Sequence, residues 1–533
     1  MMNIIAITMI MVLLIYGVVG LVMMRKIRNV DSFYIMEEKA PTLFLVCGIC
    51  MAYISAVTMS GGPSVCYEQG PFVLLTSAQP GAWLGMVVAI LFIGRKMKSI
   101  GCYTMPDYFV KRFSDNNVTF LSVVIMGIGL ELYGVGQLIS LGNILSDVTG
   151  LSYEWLVVIF TIAMIMFCVP GGIWSIMVTD IFMFVVVFIG VLVVCPIVLY
   201  NITPEALPNL TSQFWSAGGL NQLPISYNIS LFMLWFMFFA GSPVIITRVF
   251  PAKNDFDVFK ACIISVALIA VMSAVIYVTA GMMRGVEPTI VQTEKVMLQA
   301  YMNHAPTVLG LIGIAGVLTA AISTAAIVFE LVGFALSRDL YGILNQNKTE
   351  TKDPVKRARL AQFFVVALGG FIAYFQPVGN FDISVFVTGI FASGWLPVIL
   401  LSLLWKRLNS SGAFYGMLSG ITTLIIMQVL VVYGDVELPY SMNQYVISIT
   451  LAIVVSILFS LNSPATSCEA INYFRIQNTL PSDMILRISR KSPEALSKLF
   501  KDYRLTRVII IGVVVISAAI WILIMAWSIY FLP

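Results

Sequence analysis

The sequence predicts an all-α polytopic membrane protein, on three grounds: its composition, its repeated long apolar runs, and the placement of its basic residues. Of 533 residues, 59% are hydrophobic and 11% charged, with a mean hydropathy of +0.96. Soluble domains carry about 25% charged and about 45–50% apolar residues. A soluble enzyme, a disordered chain and a secreted disulfide scaffold are therefore excluded. Runs of about 20 apolar residues, enough to cross a hydrocarbon core of about 30 Å, recur along the whole length.

Read with their loop punctuation, the runs give about 14 transmembrane helices. They lie near 4–24, 42–69, 77–94, 117–146, 153–170, 172–200, 229–248, 261–283, 306–336, 360–378, 382–405, 412–433, 441–461 and 508–531. The first run lacks a basic start and a small-residue cleavage site, so it reads as a spanning helix and not a signal peptide. Loops on alternate sides differ sharply in charge: of 30 Lys and Arg residues, all but Arg284 and Lys295 fall on one side. The positive-inside rule makes that side cytoplasmic and places both termini outside the cell membrane. The 462–507 loop is polar and basic, and it is too short and too sparse in motifs for a catalytic domain.

The remaining composition narrows the chemistry. Eight cysteines lie scattered, among them Cys47, Cys50, Cys168, Cys195 and Cys262 inside apolar runs, where they read as small packing residues. A single histidine, His304, rules out a multi-histidine metal site. No nucleophile–base constellation is visible, so the chain does not read as an enzyme, and nothing suggests a nucleic-acid partner.

Two spans are interrupted. The second runs Met51-Ala-Tyr-Ile-Ser-Ala-Val-Thr-Met-Ser-Gly-Gly-Pro63, and the seventh carries Ala240-Gly-Ser-Pro243. Gly-Gly-Pro after hydroxyl and β-branched residues is poor helix. The two spans are five apart and cross in opposite directions. Paired interrupted helices in two inverted halves point to a transporter site at the membrane midplane. There, freed carbonyls can hold a cation and freed amides can face an anionic group. Pro/Gly kinks satisfied by neighbouring helices are the plainer alternative.

The ninth span places Ala320, Ser323 and Thr324 at i, i+3 and i+4, on one helix face. Two hydroxyls beside free carbonyls make a hard-oxygen site suited to a hard cation, although small-residue helix packing uses the same pattern. Intramembrane carboxylates are costly and few. Asp180 follows Thr179 in the sixth span, Glu131 precedes Tyr133 and Gln137 in the fourth, and Glu330 lies seven residues past Ser323. Glu330 reads equally as part of a cation exit route or as the partner of a cytoplasmic-end Lys or Arg.

These stretches together resemble the sodium:solute symporters, the family that holds sodium/glucose, proline, pantothenate and sialic acid transporters. The likeness rests on Ser55-Ala56, Gly61-Gly62-Pro63, Tyr67 and Gly70, and on Gly171-Gly172 with Thr179-Asp180. It continues through Ala320-Ala-Ile-Ser323-Thr324 with Ser337-Arg-Asp-Leu-Tyr341, and through Pro397 to Arg407 with Gly412-Ala413 and Gly416 to Gly420. The resemblance implies a five-plus-five inverted-repeat core whose first and sixth helices are broken. Residues 1–41 would then form an extra N-terminal helix and loop, 42–227 and 228–410 the two repeats, and 411–533 peripheral helices.

By the same resemblance, sodium falls on the carbonyls of Met51, Ile54 and Ala320 and the hydroxyls of Ser323 and Thr324, with Asp180 near the ion. Members with a second sodium carry further hydroxyls where this chain has Ala326 and Ile327, so one sodium per turnover is expected. Solute contacts fall on Ser55, Thr58 and Gln79, with Glu131 and Gln137 added from the fourth span. Sialic acid relatives present an arginine where this chain has no basic residue but Glu131, which favours a neutral polyol or an amine-bearing solute. The implied activity is sodium-driven import of a small polar organic solute by alternating access, in contact with membrane lipid. A solute sensor and a proton-coupled symporter of the same fold remain as alternatives.

Overall fold

The computed structural model describes residues 2–345, 353–375, 380–434, 436, 438–439 and 443–464. The expected span 508–531, and the expected cytoplasmic loop from residue 465 onward, lie outside the described residues. Among the described residues there is no strand; the one bridge joins Ala40 and Ala252.

In chain order the main helices are α1 (Met2–Met23), α2 (Thr42–Tyr53), α3 (Gly62–Gln69), α4 (Ala78–Val87), α5 (Asn116–Thr149) and α6 (Tyr153–Ile189). There follow α7 (Cys195–Asn209), α8 (Ile225–Gly241), α9 (Pro243–Ile246), α10 (Asp255–Val286) and α11 (Thr307–Phe334). The last are α12 (Pro354–Tyr374), α13 (Asn380–Ile390), α14 (Ser410–Tyr433) and α15 (Gln444–Asn462). Polar caps fix where several begin. Asp115 accepts from the amides of Asn117 and Val118, Asn254 from Asp257, Asn409 from Gly412 and Asn443 from Val446. Each cap satisfies amides that have no partner inside the helix.

Among the described residues nine helices are long and apolar enough to cross a bilayer, and two bent pairs raise the number to eleven. This is therefore a multi-pass membrane protein. The bent pairs are α2 with Val57–Gln69, at 57°, and α8 with Pro243–Val249, at 45°. The second falls at its Gly/Pro motif, Gly241-Ser242-Pro243, whereas the first opens at Ile54–Ser55, ahead of Gly61-Gly62-Pro63. That motif stays helical because Pro63 sits in the first turn of α3, where no amide is needed. The 57 residues Tyr153–Asn209 pass as one apolar stretch. Straight, they would reach about 86 Å, far beyond a bilayer core. The chain changes direction at Gly172, whose φ is +51°. A Cβ there would stand 2.7 Å from the Phe33 carbonyl, so only glycine fits both the angle and the space. The kink coincides with the expected boundary between the spans ending at 170 and starting at 172. The helices also outrun their apolar runs: α10 starts at Asp255, where the run starts near 261, because hydropathy marks only the part that sits in lipid.

One helix is central. The span Thr307–Leu344 is 89% buried, whereas Ala6–Lys26 and Ser410–Tyr433 are 22% buried and form the rim. The central helix α11 packs on α5, α6 and α2, and α10 packs on both halves of the first broken helix.

Candidate functional site: a cavity and a buried ionic cluster at a broken helix

The first broken helix organises the site. Helical geometry ends at Ile54 (φ −77°, ψ 103°) and resumes in a wide π turn over Val57–Gly61. The interruption is held from the side: the Ala56 amide donates to Gln137 Oε1 at 2.9 Å, and the Thr58 hydroxyl donates to the Tyr53 carbonyl at 3.1 Å. Unwound backbone is tolerated at membrane depth only when protein groups or a water-filled cavity satisfy it.

Beside the break lies a cavity of about 330 Å³. Ser55, Thr58 and Gln79 line it together, as expected for the solute contacts. Seven aromatic residues share the remaining wall with aliphatic and a few neutral polar ones: Tyr53, Tyr133, Tyr227, Trp235, Phe239, Tyr277 and Tyr445. Gln79 ties two of them, accepting from the Tyr53 hydroxyl at 2.5 Å and donating to the Tyr277 hydroxyl at 3.1 Å. Gly62 makes room for this contact. A Cβ on Gly62 would stand 2.6 Å from the Tyr277 hydroxyl oxygen. Among the described residues no Asp, Glu, Lys or Arg lines the cavity.

Two expected solute contacts stand elsewhere. Glu131 is absent from the lining; its carboxylate lies near Gly369 of α12, where Phe329 of α11 also packs, and neither oxygen has a hydrogen-bond partner. The reason is helical: Tyr133 faces the cavity, and a residue two positions away points to a different side of the helix. Gln137 is likewise outside the lining and serves as the clamp on Ala56. Glu131 was placed with the solute because it stands where sialic acid relatives present an arginine, whereas Gln137, four residues past Tyr133 and on its face, is drawn to the Ala56 amide.

The residues expected around a cation are absent from the cavity lining. Ala320, Ser323, Thr324 and Asp180 have no exposed surface. The Ser323 hydroxyl donates to Asp180 Oδ1 at 2.7 Å, and the Thr324 hydroxyl to the Ala320 carbonyl at 3.1 Å. α11, which carries Ala320, Ser323 and Thr324, packs on α2, which holds Met51, and on the Val57–Gly61 turn beyond Ile54. The set offers hydroxyl, carbonyl and carboxylate oxygens, the chemistry that hard cations prefer.

Sequence reasoning missed Arg248. It was counted with the basic loop residues, yet it is fully buried, with Nη1 2.7 Å from Asp180 Oδ2. It follows α9, so the second broken helix delivers a cation to the carboxylate beside the first. The signal that could have found it is Asp180 itself, since a buried charge demands a partner. Arg112, also counted with the loops, is buried as well and donates to the carbonyls of Ser402 and Leu408. His304 closes the short helix Val296–His304 and lies 2.9 Å from Glu287 Oε1.

A buried solute-sized cavity and a buried ionic cluster sharing one broken helix, in a multi-pass helical protein, define a membrane transporter. The profile of the sodium:solute symporter family matches residues 34–420, and the chain belongs to that family. It is a transporter and not an enzyme. Over 430 residues it is 24% identical to the uncharacterized symporter YwcA of Bacillus subtilis (strain 168), covering 74% of this chain and 82% of that one. It is 25% identical to the osmoregulated proline transporter OpuE of the same organism, over 61% of this chain and 67% of the relative. It is also 25% identical to the sodium/proline symporter 2 of Staphylococcus saprophyticus, over 61% and 65%. A solved Na+-coupled sialic acid symporter in a substrate-bound outward-open state superposes with a TM-score of 0.71 at 14% identity, covering 88% of this chain and 98% of that one.

Proposed function

We propose that this chain is a sodium-coupled symporter that imports a small polar organic solute by alternating access. One observation carries the reading: a single broken helix supplies Tyr53, Ser55 and Thr58 to the cavity while packing against the helix of Ala320, Ser323 and Thr324. Sodium at Met51, Ile54, Ala320, Ser323 and Thr324 would fix the break in the shape that binds solute. Coupling is then the differential affinity of two ligands for two conformations, and it is reciprocal. The core is a five-plus-five inverted repeat, supported by the matched bends of the two broken helices, with 14 spans and both termini outside. One sodium moves per turnover, because Ala326 and Ile327 offer no further hydroxyls.

The absence of Asp, Glu, Lys and Arg from the described cavity wall favours a solute of zero net charge, whether uncharged or zwitterionic. A net charge in a low-dielectric site would lack a partner. The aromatic wall would take its apolar face, and Gln79 with Tyr277 its hydrogen-bonding edge. The proline named for two relatives is one such solute.

The test is a thermal-shift screen of purified protein against sugars, amino acids, vitamins and amines, in sodium and in potassium. A ligand that binds only the folded state raises the apparent Tm by mass action. The reading expects a hit that is strong in sodium and weak in potassium. Equal hits in both salts would refute sodium coupling, and uptake into proteoliposomes under a sodium gradient decides transport.

A further inference from the structure

The ionic cluster holds more unused hydrogen-bonding capacity than a static ion pair explains. Arg248 spends Nη1 on Asp180 Oδ2 at 2.7 Å, with the Met177 sulfur 3.5 Å from the same nitrogen. Its Nε and Nη2 are buried without a hydrogen-bond partner. Glu330 is fully buried, and both its carboxylate oxygens lack a partner as well. The charged groups that act on Glu330 are Arg248 and Asp180. Glu330 stands seven residues beyond Ser323 on α11, so it shares that face about 10 Å along the helix. Two unsatisfied donors on Arg248 and two unsatisfied acceptors on Glu330 are therefore buried on segments that pack together, α9 lying against α11. Guanidinium and carboxylate are the groups that pair in a planar, two-bonded fork.

We infer that Glu330 is a second docking place for Arg248, which moves to it from Asp180 when sodium arrives at Asp180 and Ser323. This rests on the sodium site proposed above. A cation entering beside Asp180 meets the guanidinium already there, and two positive charges on one carboxylate repel. Glu330 lets the arginine leave without being stranded as an unpaired buried charge, which would otherwise hold sodium out. Arg248 follows the second broken helix, and its transfer would draw that helix end along α11. Glu330 is thus a positioning residue that acts through Arg248.

The experiment measures the sodium concentration giving half of the maximal Tm rise, without solute and with potassium as control. The wild type is compared with Glu330→Gln, Arg248→Gln and the double variant. Glu330→Gln is expected to raise that concentration about tenfold in the wild-type background and to leave it unchanged in the Arg248→Gln background. An equal rise in both backgrounds would mean that Glu330 acts on sodium directly, and it would overturn the exchange. No rise in either would overturn it too. A wild type whose Tm ignores sodium overturns the sodium site itself, a result distinct from a responsive wild type matched by Glu330→Gln. Because Arg248→Gln can compromise folding, a structure at saturating sodium is the second measurement. Arg248 paired with Glu330 supports the exchange, and Arg248 still on Asp180 overturns it.

Discussion

The two sides of the first broken helix are built on opposite principles. On the cavity side the polar groups are tied to one another, as in the chain Tyr53–Gln79–Tyr277, and the described wall has no Asp, Glu, Lys or Arg. On the other side, Asp180, Arg248 and Glu330 are charged, fully buried and left with unmatched valences. A satisfied neutral network holds a shape. An unsatisfied charged cluster is costly in the state where it is seen and so favours a partner or a rearrangement. The proposed function puts recognition on the first side and coupling on the second.

The comparison breaks most forcefully at Arg248. Arg248→Gln leaves two carboxylates buried without their cation, which costs on the order of 3–5 kcal/mol. The Tm should fall sharply in potassium and recover in part in sodium, which supplies the missing positive charge; equal losses in both salts would contradict the charge argument. Gly62→Ala strikes the neutral side. Its new methyl collides with the Tyr277 hydroxyl, and overpacking of this kind costs about 1–3 kcal/mol. Solute affinity should drop while sodium binding measured without solute persists.

Ser323→Ala with Thr324→Ala removes the two hydroxyls from the charged side. The sodium concentration for half-maximal uptake should rise about tenfold or more, on the order of 1.4 kcal/mol. Unchanged sodium dependence in a folded double variant would remove these residues from the site. Gln79→Ala is a milder cut on the neutral side, worth about 1 kcal/mol of solute binding. Calorimetry should find sodium binding intact, and a joint loss would show that the two sides are not separable. The smallest effect belongs to Glu131→Gln. Because Glu131 does not line the cavity, solute affinity in a binding assay should stay about the same. A large loss there would return the residue to the solute's surroundings.

What the sequence made legible follows from how local each signal is. The second break was readable because glycine and proline act on their own backbone, whereas the first opens at Ile54–Ser55, ahead of a Gly-Gly-Pro that remains helical. Ser323 and Thr324 were readable because they share a face with Ala320. Arg248 was not readable, since its partner is set by packing between distant helices and its neighbour Lys253 made it look like a loop charge. Glu131 and Gln137 failed for a related reason. On a helix buried on nearly every side, as α5 is near its middle, no polar stripe tells which face meets the cavity. Hydropathy located spans well but not their ends, which depend on caps such as Asn254 that lie outside the apolar run.

The bond from the Ala56 amide to Gln137 has a mechanical meaning. It ties the most deformable few residues of the first broken helix to α5, a continuous rod of 34 residues. With the Tyr133 hydroxyl donating to Ser55 Oγ at 3.5 Å, tension or sliding along that rod reaches the cavity and the break through two adjacent bonds. Lipids gripping the outer face of α5 would therefore hold a handle on both ligands' surroundings, and bilayer thickness becomes a variable to which the transport cycle should answer.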